Sequence, residues 1–599
     1  MSLNPPTEND FIDLGTSEQW LRQLYLNGRS GNKPNRRILS ERFYFSDTPH
    51  IDPVAELKAN YEALFSRLNH ITDEHPLCRF PSRFLFIDRQ FSLNSGIDPF
   101  TVCPKLNSWS LLETYSKIMI TKVDSHFGNP ASTFGHLIIR IGSDDERRNL
   151  LDTSINYGAH VPPNELMPVY IFKGITGGYT ASISLEDFYH QDLVYSKTEF
   201  RDMWNYELNL TEFQKRIFLG HVWELLEQTS VYYFVKYNCA YAIAGILEVA
   251  TGYEFVSENT LYYPPIRLFQ DLSRYDANHP GMLIASQTYL PSQDKMLRNV
   301  LKSLNHDEMS TVKNYINAVN PDIEQWIQPY TADRQSYILE VLLEYYDYMI
   351  TGYPESGDES ANRRIDIIKA RLQRPAGKKL SFETIEPPAR PPGETTRTTK
   401  FGFGLQYSED QFSGQFSLTP FSLNPLDLGN SVFSELTILK TDVRFGNSLE
   451  LSDFTLIKVA QRSDLKQYSI AKHPLSWTVD TGFNCLNNCD PHDGLQIKTG
   501  IGQSLSTGSV LNSILANALL EGRRVGISGE WELALPEVHK VSGVVSSEIY
   551  YPLSDSENAD LRLTGKARYS FNPEHSIELS YSRLRERSTA SLRWVWSPF

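Results

Sequence analysis

The sequence lacks any long apolar run. None of its segments approaches the ~18 uninterrupted apolar residues that a membrane-spanning helix needs, so insertion by such a helix is excluded. It also lacks an excess of positive charge, because 57 lysines and arginines stand against 72 aspartates and glutamates and leave a net charge of −15. A nucleic-acid-binding surface needs clustered basic residues. We therefore predict no nucleic-acid partner.

A secretory signal is also missing from the beginning of the chain. The first residues, MSLNPPTEND, contain neither a basic segment nor an apolar segment, and a signal peptide needs both. The alternative is that a signal was removed and a short Met-Ser-Leu leader stands in its place. The cysteines favour this alternative.

Cysteine is scarce, with five residues in 599. Cys485 and Cys489 bracket Leu-Asn-Asn in a loop-like stretch, and Cys78 and Cys103 flank a strand-and-turn length of chain. We predict a disulfide for each pair, and two bridges indicate an oxidising compartment such as the periplasm. A zinc site at the first pair is the rival interpretation, but only His492 lies close by, so the ligand set is incomplete.

The predicted fold class is multidomain α+β. At ~100–200 residues per domain, the length of 599 residues predicts three or four domains. Changes in periodicity and composition divide the chain further. The predicted segments are a helical N-terminal region (1–107), a thiol domain of short strands and helices (108–284), a helical segment (285–373), a proline-rich linker (374–400) and an all-β domain (401–599). Within the thiol domain, the runs SKIMITKV, FGHLIIRIG and MPVYIFKGITGGY are predicted strands.

The last segment alternates between apolar and polar residues, which predicts roughly 10–12 antiparallel strands of ~10 residues. A soluble β-sandwich and a lipocalin-like barrel also alternate. Charged side chains opposite aromatic-rich faces, and the terminal Phe599, favour an outer-membrane barrel whose aromatic face meets lipid. One detail disagrees, because Trp594 and Trp596 fall on the face opposite Phe599, which instead shares its face with Arg593 and Val595.

Two segments carry the residues that chemistry needs. His136 opens a predicted strand after a turn rich in Gly, Asn and Pro, and Cys239 stands in the first turn of a predicted helix with Asn238 as its N-cap. Free N–H groups and the helix dipole at this position stabilise a thiolate, and the same N–H groups can hold an oxyanion. We therefore predict Cys239 as the nucleophile and His136 as the general base.

A polar residue on the next strand is expected to orient the imidazole. Asn156 in SINYGAH is the natural candidate, and His160 is a weaker one. The alternatives are a cysteine that only packs and a histidine that only completes a turn. With His136, four further histidines (His126, His160, His190, His221) raise the question of a metal site, but their spacing matches no metal motif. We predict neither a metal nor a cofactor.

Several residues around the thiol are candidates for substrate contact. We expect Tyr237, Asn238 and Ser132 to border the cleft. Tyr237 belongs with Tyr232 and Tyr233 to an aromatic group that either lines an acyl groove or forms core. For the Arg201–Glu207 segment (RDMWNYE) a fold-holding role is expected.

Five motifs in fixed order resemble the Lnb-type N-terminal periplasmic domain. They are NPASTFGHLIIRI, INYGAH, GGYTASISLEDFY, EFRDMWNYELNLTE and YYFVKYNCAYAI, with WLRQLYL and HPLCRFPSRFLFI extending the resemblance upstream. The resemblance implies a circularly permuted papain-like (NlpC-like) thiol domain in an exported bacterial protein, with the strand histidine before the helix cysteine. The best-known activity of the family is lipoprotein N-acylation, in which an acyl chain moves from a phospholipid to the α-amine of a lipidated cysteine.

The patterns predict a thiol enzyme of the periplasm and outer membrane with outer-membrane lipid as partner, and the resemblance implies that it is an envelope thiol acyltransferase with a phospholipid or lipoprotein as substrate. Two alternatives stay open. One is a Cys/His hydrolase, either a cell-wall peptidase or amidase or a lipid deacylase. The other is a non-catalytic outer-membrane module.

Overall fold

A computed structural model gives the fold of most of the chain. The described residues are 5–27, 35–47, 52–110, 116–127, 130–143, 150–257, 260–353, 355, 357–375, 385–408, 411–446, 449–465, 475–484, 495–522, 524–553, 559–584 and 587–598. They form two compact units, Met1–Ile385 and Glu386–Phe599. Among these residues, no helix has the length and apolar character that crossing a membrane requires.

The first unit is a mixed α/β structure. Its helices are α1 Glu8–Gly15, α2 Glu18–Gln23, α3 Pro53–Leu64, α4 Pro76–Arg79, α5 Pro81–Gln90, α6 Pro99–Val102, α7 Pro104–Ser110, α8 Met167–Thr176, α9 Phe188–Gln191, α10 Glu212–Leu225, α11 Cys239–Thr251, α12 Pro265–Asn278, α13 Gln293–Lys302, α14 His306–Asn317, α15 Ile323–Ile327, α16 Ala332–Gly352 and α17 Gly357–Leu372. A π-helical turn at Asp192–Thr198 follows α9.

An antiparallel sheet of seven strands organises this unit, in the order β8-β6-β5-β4-β3-β7-β9. The strands are β3 Lys117–Val123, β4 His136–Gly142, β5 Thr153–Ala159, β6 Tyr179–Asp187, β7 Met203–Leu208, β8 Ser230–Tyr232 and β9 Ile284–Leu290, and a separate short pair is formed by β1 Leu26–Asn27 and β2 Asn35–Arg36. Strand β9 pairs with β7, although it lies in the segment 285–373 that was predicted to be helical.

The run MPVYIFKGITGGY, predicted to be a strand, begins with a helix instead. Its β-branched and aromatic residues favour β structure, but its first part forms helix α8. Proline stands in the first turn, where the helix needs no N–H, and Gly177 ends the helix in the left-handed conformation with a φ of 82°. The capping residues therefore decide the structure here.

One apolar core joins the N-terminal helices to the sheet. It extends from Phe11 through Trp20 and Phe218 to Ile284 and includes Cys239. Helix α11 packs against strands β4 and β5. The predicted Cys78–Cys103 disulfide is confirmed, with the two Cα atoms 5.6 Å apart. The other predicted pair, Cys485 and Cys489, lies outside the described residues.

A buried arginine links helices α3, α5 and α10. Arg83 on α5 has no exposed surface, and its Nη1 donates to the carbonyl of Phe43 (2.8 Å) and to Asn60 Oδ1 (3.2 Å). Its guanidinium also lies near the buried carboxylates of Glu56 (3.9 Å) and Glu224 (3.8 Å). A buried charge needs such partners. This network fixes α3, α5 and α10 against one another.

The second unit is a closed antiparallel β-barrel. Its strands are β10 Lys400–Ser408, β11 Gln411–Thr419, β12 Phe421–Leu423, β13 Ser434–Phe445, β14 Leu449–Gln461, β15 Ser476–Asn484, β16 Leu495–Thr507, β17 Val510–Glu521, β18 Arg524–Val538, β19 Val541–Pro552, β20 Asp560–Ser570, β21 His575–Leu584 and β22 Arg587–Trp596. Pairing of β10 with β22 and of β11 with β13 closes a ring of 12 strands, while the short β12 adds to β13. This confirms the predicted barrel.

The barrel has an apolar outside and a charged inside. Alternate residues of β22 show the pattern, since Trp594 and Trp596 are exposed outward while Arg593 and Val595 are buried. Inside, Arg568 and Arg593 both pair with Glu578, and Lys498 pairs with Glu530 (2.7 Å) and Glu548 (2.9 Å). An apolar, aromatic-rich exterior around a polar interior is the organisation of an outer-membrane barrel.

The stretch predicted as a linker divides into two parts. Residues 376–384 lie outside the described residues. Residues 395–400 are buried within the barrel unit, where the Thr396 amide donates to the carbonyl of Leu428 (3.1 Å) and Lys400 pairs with Asp427 (2.7 Å). The barrel unit therefore begins before its first strand.

Candidate active site

Cys239 is the first residue of helix α11. Asn238 is the N-cap, and its Oδ1 accepts a hydrogen bond from the amide of Tyr241 (3.2 Å). The Asn238 Nδ2 donates to the carbonyls of Phe234 (3.0 Å) and Tyr263 (2.9 Å). The cap thus holds the loop that leads into the helix and fixes where the thiol lies. These bonds give the Asn238 amide a positioning role, and its contact with substrate stays a prediction.

His136 is the first residue of strand β4. Gly135 precedes it with a φ of +84°, and a Cβ there would meet the carbonyl oxygen of Val123 at 2.8 Å. Only glycine fits this close approach in the left-handed region without strain. The tight turn brings the imidazole to the end of the sheet at which helix α11 begins.

Asn156 on β5 contacts the imidazole directly. Strands β4 and β5 pair Ile138 with Asn156. His136 lies two residues before Ile138 on β4, so the side chains of His136 and Asn156 are on the same face of the sheet. The His136 Nε2 lies 2.6 Å from Asn156 Oδ1. That oxygen only accepts, so Nε2 carries a proton and Nδ1 is the nitrogen left for the thiol. This is the orienting contact that the sequence predicts for Asn156.

The thiol and the imidazole form a hydrogen-bonded pair. Burial alone would raise the pKa of Cys239, but the His136 charge, its hydrogen bond and the backbone amides of Leu137 and Ala240 lower that pKa overall. Burial alone would lower the pKa of His136, but the sulfur charge and the hydrogen bonds to Cys239 and Asn156 raise it overall. Opposite shifts of this kind favour the thiolate–imidazolium form of the pair over the neutral form.

Two backbone amides converge on the sulfur. Those of Leu137 and Ala240 donate hydrogen bonds to it. The β4–β5 ladder begins at Ile138, one residue beyond Leu137. Amides from a strand and a helix N-terminus therefore point at one atom, and such donors also stabilise an oxyanion that forms beside the nucleophile.

Three tyrosines surround the pair within electrostatic reach of the sulfur: Tyr157, Tyr195 and Tyr232. Burial raises the pKa of Tyr157 and of Tyr195 to about 12, and it also raises the pKa of Tyr232. All are therefore neutral near pH 7 and do not repel a thiolate. The Tyr195 ring lies 5.9 Å from that of His136. No sequence motif points to Tyr195, which lies in the π-helical turn at Asp192–Thr198.

An apolar cavity of about 50 Å³ lies beside the cysteine loop. Tyr157, Tyr237 and Asn238 line it, together with a group of isoleucines from the sheet and α11. Among the described residues that line it, Arg37 is the cationic one, and its guanidinium lies 4.9 Å from the ring of Tyr25 and 4.9 Å from that of Tyr241. Its buried Nε has no hydrogen-bond partner within the part of the chain that the structure describes. Nothing in the local sequence points to Arg37.

The structure also gives the contacts of the remaining predicted residues. Ser132 shapes the turn before His136, since its carbonyl accepts from the amides of His126 and Gly135 (3.0 Å each). Tyr237 packs between Tyr233 and Tyr241. In the RDMWNYE segment, Arg201 donates to the carbonyl of Asp124 and pairs with Glu199 (2.8 Å), in line with the fold-holding role expected there.

Three of the other histidines, His160, His190 and His221, contact residues other than Cys239 and His136. His160 is exposed and bonds to Thr180 (3.2 Å) and Ser182 (2.8 Å), so it does not orient His136. His190 packs on its neighbour Tyr189, and buried His221 contacts Glu224 (3.2 Å). In the described ranges, no group of three or more His, Cys, Asp or Glu side chains is arranged to hold a metal ion.

The site lies in a part of the chain that matches a known family. Residues 113–274 match the family model described as the Lnb N-terminal periplasmic domain. Flanking parts of the chain match two further family models, each described as a domain of unknown function: DUF7843 at residues 13–90 and DUF7840 at residues 389–596. No curated protein matches this chain.

Among solved structures, the chain is similar to outer-membrane channels. The KdgM porin in complex with disordered oligogalacturonate is 8% identical, with 33% of this chain and 99% of that chain covered and a TM-score of 0.22. The NanC porin is 8% identical, with 34% and 100% covered and a TM-score of 0.23. An outer membrane channel from Pseudomonas putida F1 is 10% identical, with 36% and 99% covered and a TM-score of 0.21. Values this low carry no conclusion about function.

The periplasmic family and the barrel agree on location. The family model that residues 113–274 match describes a periplasmic domain. The second unit is a closed barrel of 12 strands with its apolar residues outside, which suits a lipid bilayer. The protein therefore belongs to the periplasm and the outer membrane.

Proposed function

We propose that this protein is an envelope thiol acyltransferase that carries an acyl group as a thioester on Cys239. The observation that supports this most is the hydrogen-bonded series of Cys239, His136 and Asn156. Nucleophilic catalysis by cysteine needs a thiolate, a base that shuttles the proton and a group that orients the base. Cys239, His136 and Asn156 are the candidates for the thiolate, the base and the orienting group, in that order.

In the first half-reaction, the Cys239 sulfur attacks the carbonyl carbon of an acyl ester. The amides of Leu137 and Ala240, which already point at the sulfur, are the groups nearest the oxyanion that develops. As the C–O bond breaks, the His136 imidazolium gives its proton to the leaving alkoxide. The products are the thioester, the free alcohol and neutral His136.

In the second half-reaction, an amine attacks the thioester carbon. His136 takes a proton from the amine, the C–S bond breaks, and the thiolate–imidazolium pair is restored. Asn156 keeps Nε2 engaged at 2.6 Å in both steps, so the ring presents the same nitrogen to each reacting group. The sum of the two steps is transfer of an acyl chain from an alcohol to an amine.

Burial of the thiol favours transfer over hydrolysis. Cys239 is only 3% exposed, and the three neutral tyrosines surround it. Exclusion of water protects a reactive thioester until the acceptor arrives. A hydrolase would use the same residues with water as acceptor, and the product distinguishes the two.

The cavity beside the site supports a lipid as acyl donor. Its walls are aliphatic and aromatic, and Arg37 supplies a positive charge. A phospholipid combines an acyl chain with an anionic head group, and a cavity of about 50 Å³ takes only a few methylenes of such a chain beside Arg37. The acceptor that the family resemblance implies is the α-amine of a lipoprotein.

The test is to trap the intermediate. Full-length protein incubated with phospholipid should gain the mass of one acyl chain on the peptide that contains Cys239, and neutral hydroxylamine should remove it. Cys239→Ser should not form the hydroxylamine-labile adduct, whereas the matched control His160→Ala should form it normally. A hydroxylamine-labile adduct that persists in Cys239→Ser would overturn the assignment.

A second arm identifies the acceptor. With a diacylated lipopeptide added, an N-acylated product supports transfer. Free fatty acid as the only product, with and without lipopeptide, would make the protein a lipid deacylase. Cleavage of muropeptides without any acyl adduct would make it a cell-wall hydrolase.

A further inference from the structure

Helix α8 exposes an apolar face to solvent. At 3.6 residues per turn, one side of the helix carries Pro168, Val169, Ile171, Phe172, Ile175 and Thr176. Phe172 is 68% exposed and Ile175 is 53% exposed, and Leu166, just before the helix, is 72% exposed. No charged residue lies on this side. Large apolar side chains clustered in this way are unusual on the surface of a protein that meets only water.

The polar part of the helix faces inward. Lys173 is half-buried and pairs with Glu165, and Tyr170 packs on Phe234 with the ring centroids 4.9 Å apart. Gly174 is buried against the Phe234 ring, which leaves no room for a Cβ. The orientation of the helix is therefore fixed by its neighbours, and the outward apolar face is a built feature of the fold.

Helix α8 also borders the loop that leads to the thiol. The carbonyl of Gly174 accepts a hydrogen bond from the amide of Phe234 (2.8 Å). Asn238, the N-cap of α11, donates to the carbonyl of the same Phe234 (3.0 Å). A surface that meets the outward face of α8 would thus lie next to the loop before Cys239.

We propose that the outward face of α8 binds a lipid bilayer, with the helix lying in the boundary between head groups and acyl chains. The chain already has a lipid interface, because its barrel exposes apolar and aromatic side chains around its outside. The first unit belongs to the same chain and is therefore held at a membrane. A face without charge suits the acyl boundary, whereas the rim of a protein interface is polar.

The bound helix would rest on lipid without crossing it. Its ten residues span about 15 Å, which is half of the ~30 Å hydrocarbon core of a bilayer. Phe172 and Ile175 would enter the acyl region, while Tyr170 and Lys173 stay in contact with the protein. The proposal concerns membrane contact and stands whether or not Cys239 is catalytic.

The test places an environment-sensitive label on the helix. Phe172→Cys and Ile175→Cys, each in full-length Cys239→Ala protein, are labelled with a nitrobenzoxadiazole dye and reconstituted in phosphatidylethanolamine/phosphatidylglycerol vesicles. Ile514→Cys, on the outside of the barrel and 67% exposed, is the lipid control, and Val319→Cys, 89% exposed in the helical segment, is the water control. Unsubstituted Cys239→Ala protein reports labelling of other cysteines.

The expected result is that nitroxide-labelled lipid quenches the dye at residues 172 and 175 as strongly as at 514, while aqueous iodide quenches it at least about threefold less than at 319. Equal iodide quenching at 172, 175 and 319 would overturn the proposal, because the face would then be in water. Protection from both quenchers would also overturn it, because a protein surface would cover the helix. Using two label positions separates a failed variant from a failed proposal.

Discussion

Replacing Asn156 tests the orienting contact in the candidate site. The Asn156 Oδ1 accepts a hydrogen bond from His136 Nε2 at 2.6 Å. Such a bond is worth about 1.5–3 kcal/mol to a charged partner and about 0.5–1.5 kcal/mol to a neutral one. Asn156→Ala therefore destabilises the thiolate–imidazolium pair by about 1–1.5 kcal/mol relative to the neutral pair, which lowers its population roughly fivefold to tenfold.

The assay is the rate at which iodoacetamide alkylates Cys239, followed by mass spectrometry of the peptide. The rates are compared on the plateau of the pH profile, where the thiolate–imidazolium form competes with the neutral thiol–imidazole form, which holds the same number of protons. The rate follows the ratio of these two forms and should fall by up to the same factor of about five to ten. Asn156→Asp keeps the acceptor and adds negative charge, so its rate should equal or exceed that of the unmodified protein.

His160→Ala is the matched control, because this exposed histidine bonds to Thr180 and Ser182 instead. Its rate should not change. An unchanged rate in Asn156→Ala, or a larger effect in His160→Ala, would refute the reasoning about which residue orients the imidazole.

Three further predictions concern stability. Loss of the Cys78–Cys103 bridge by double substitution with alanine should lower the free energy of unfolding by about 3.5 kcal/mol, since the bridge closes a separation of 25 residues. Guanidinium unfolding followed by tryptophan fluorescence measures this loss, and an unchanged midpoint would contradict the prediction. Arg83→Met leaves two buried carboxylates without their cation and should cost about 3–5 kcal/mol in the same assay. Glu578→Gln removes the shared partner of two lumen arginines and should lower the temperature at which the barrel unfolds on heating in SDS. Glu537→Gln, at a half-buried ion pair, should change that temperature little. Equal effects of the two substitutions would refute this prediction.

The barrel could be predicted because its strands alternate between residues that face lipid and residues that face the lumen. Residues such as Ile577, Leu579 and Tyr581 alternate with polar ones, since one face meets lipid and the other meets the lumen. Closure could not be predicted in detail. It depends on β11 pairing with β13 around the short β12, and period-two patterning is the same for every possible partner strand.

The site could be predicted where local sequence fixes geometry. Asn238 caps a helix and so places Cys239, and strand order puts Asn156 beside His136. Arg37 and Tyr195 could not be predicted, because each comes to the site through tertiary packing from a segment without a motif. Helix α8 was predicted as a strand, since its composition favours β structure while its end residues favour a helix.

The most direct test of the central claim compares the pH dependence of Cys239 alkylation in unmodified protein and in His136→Ala. The lowered pKa of the thiol and the raised pKa of the imidazole predict rapid alkylation in unmodified protein well below the pH range of an ordinary thiol. In His136→Ala the fast reaction at low pH should disappear. If both proteins show the same profile, rising only where a free cysteine ionises, then Cys239 and His136 do not form an ion pair and the proposed chemistry is wrong.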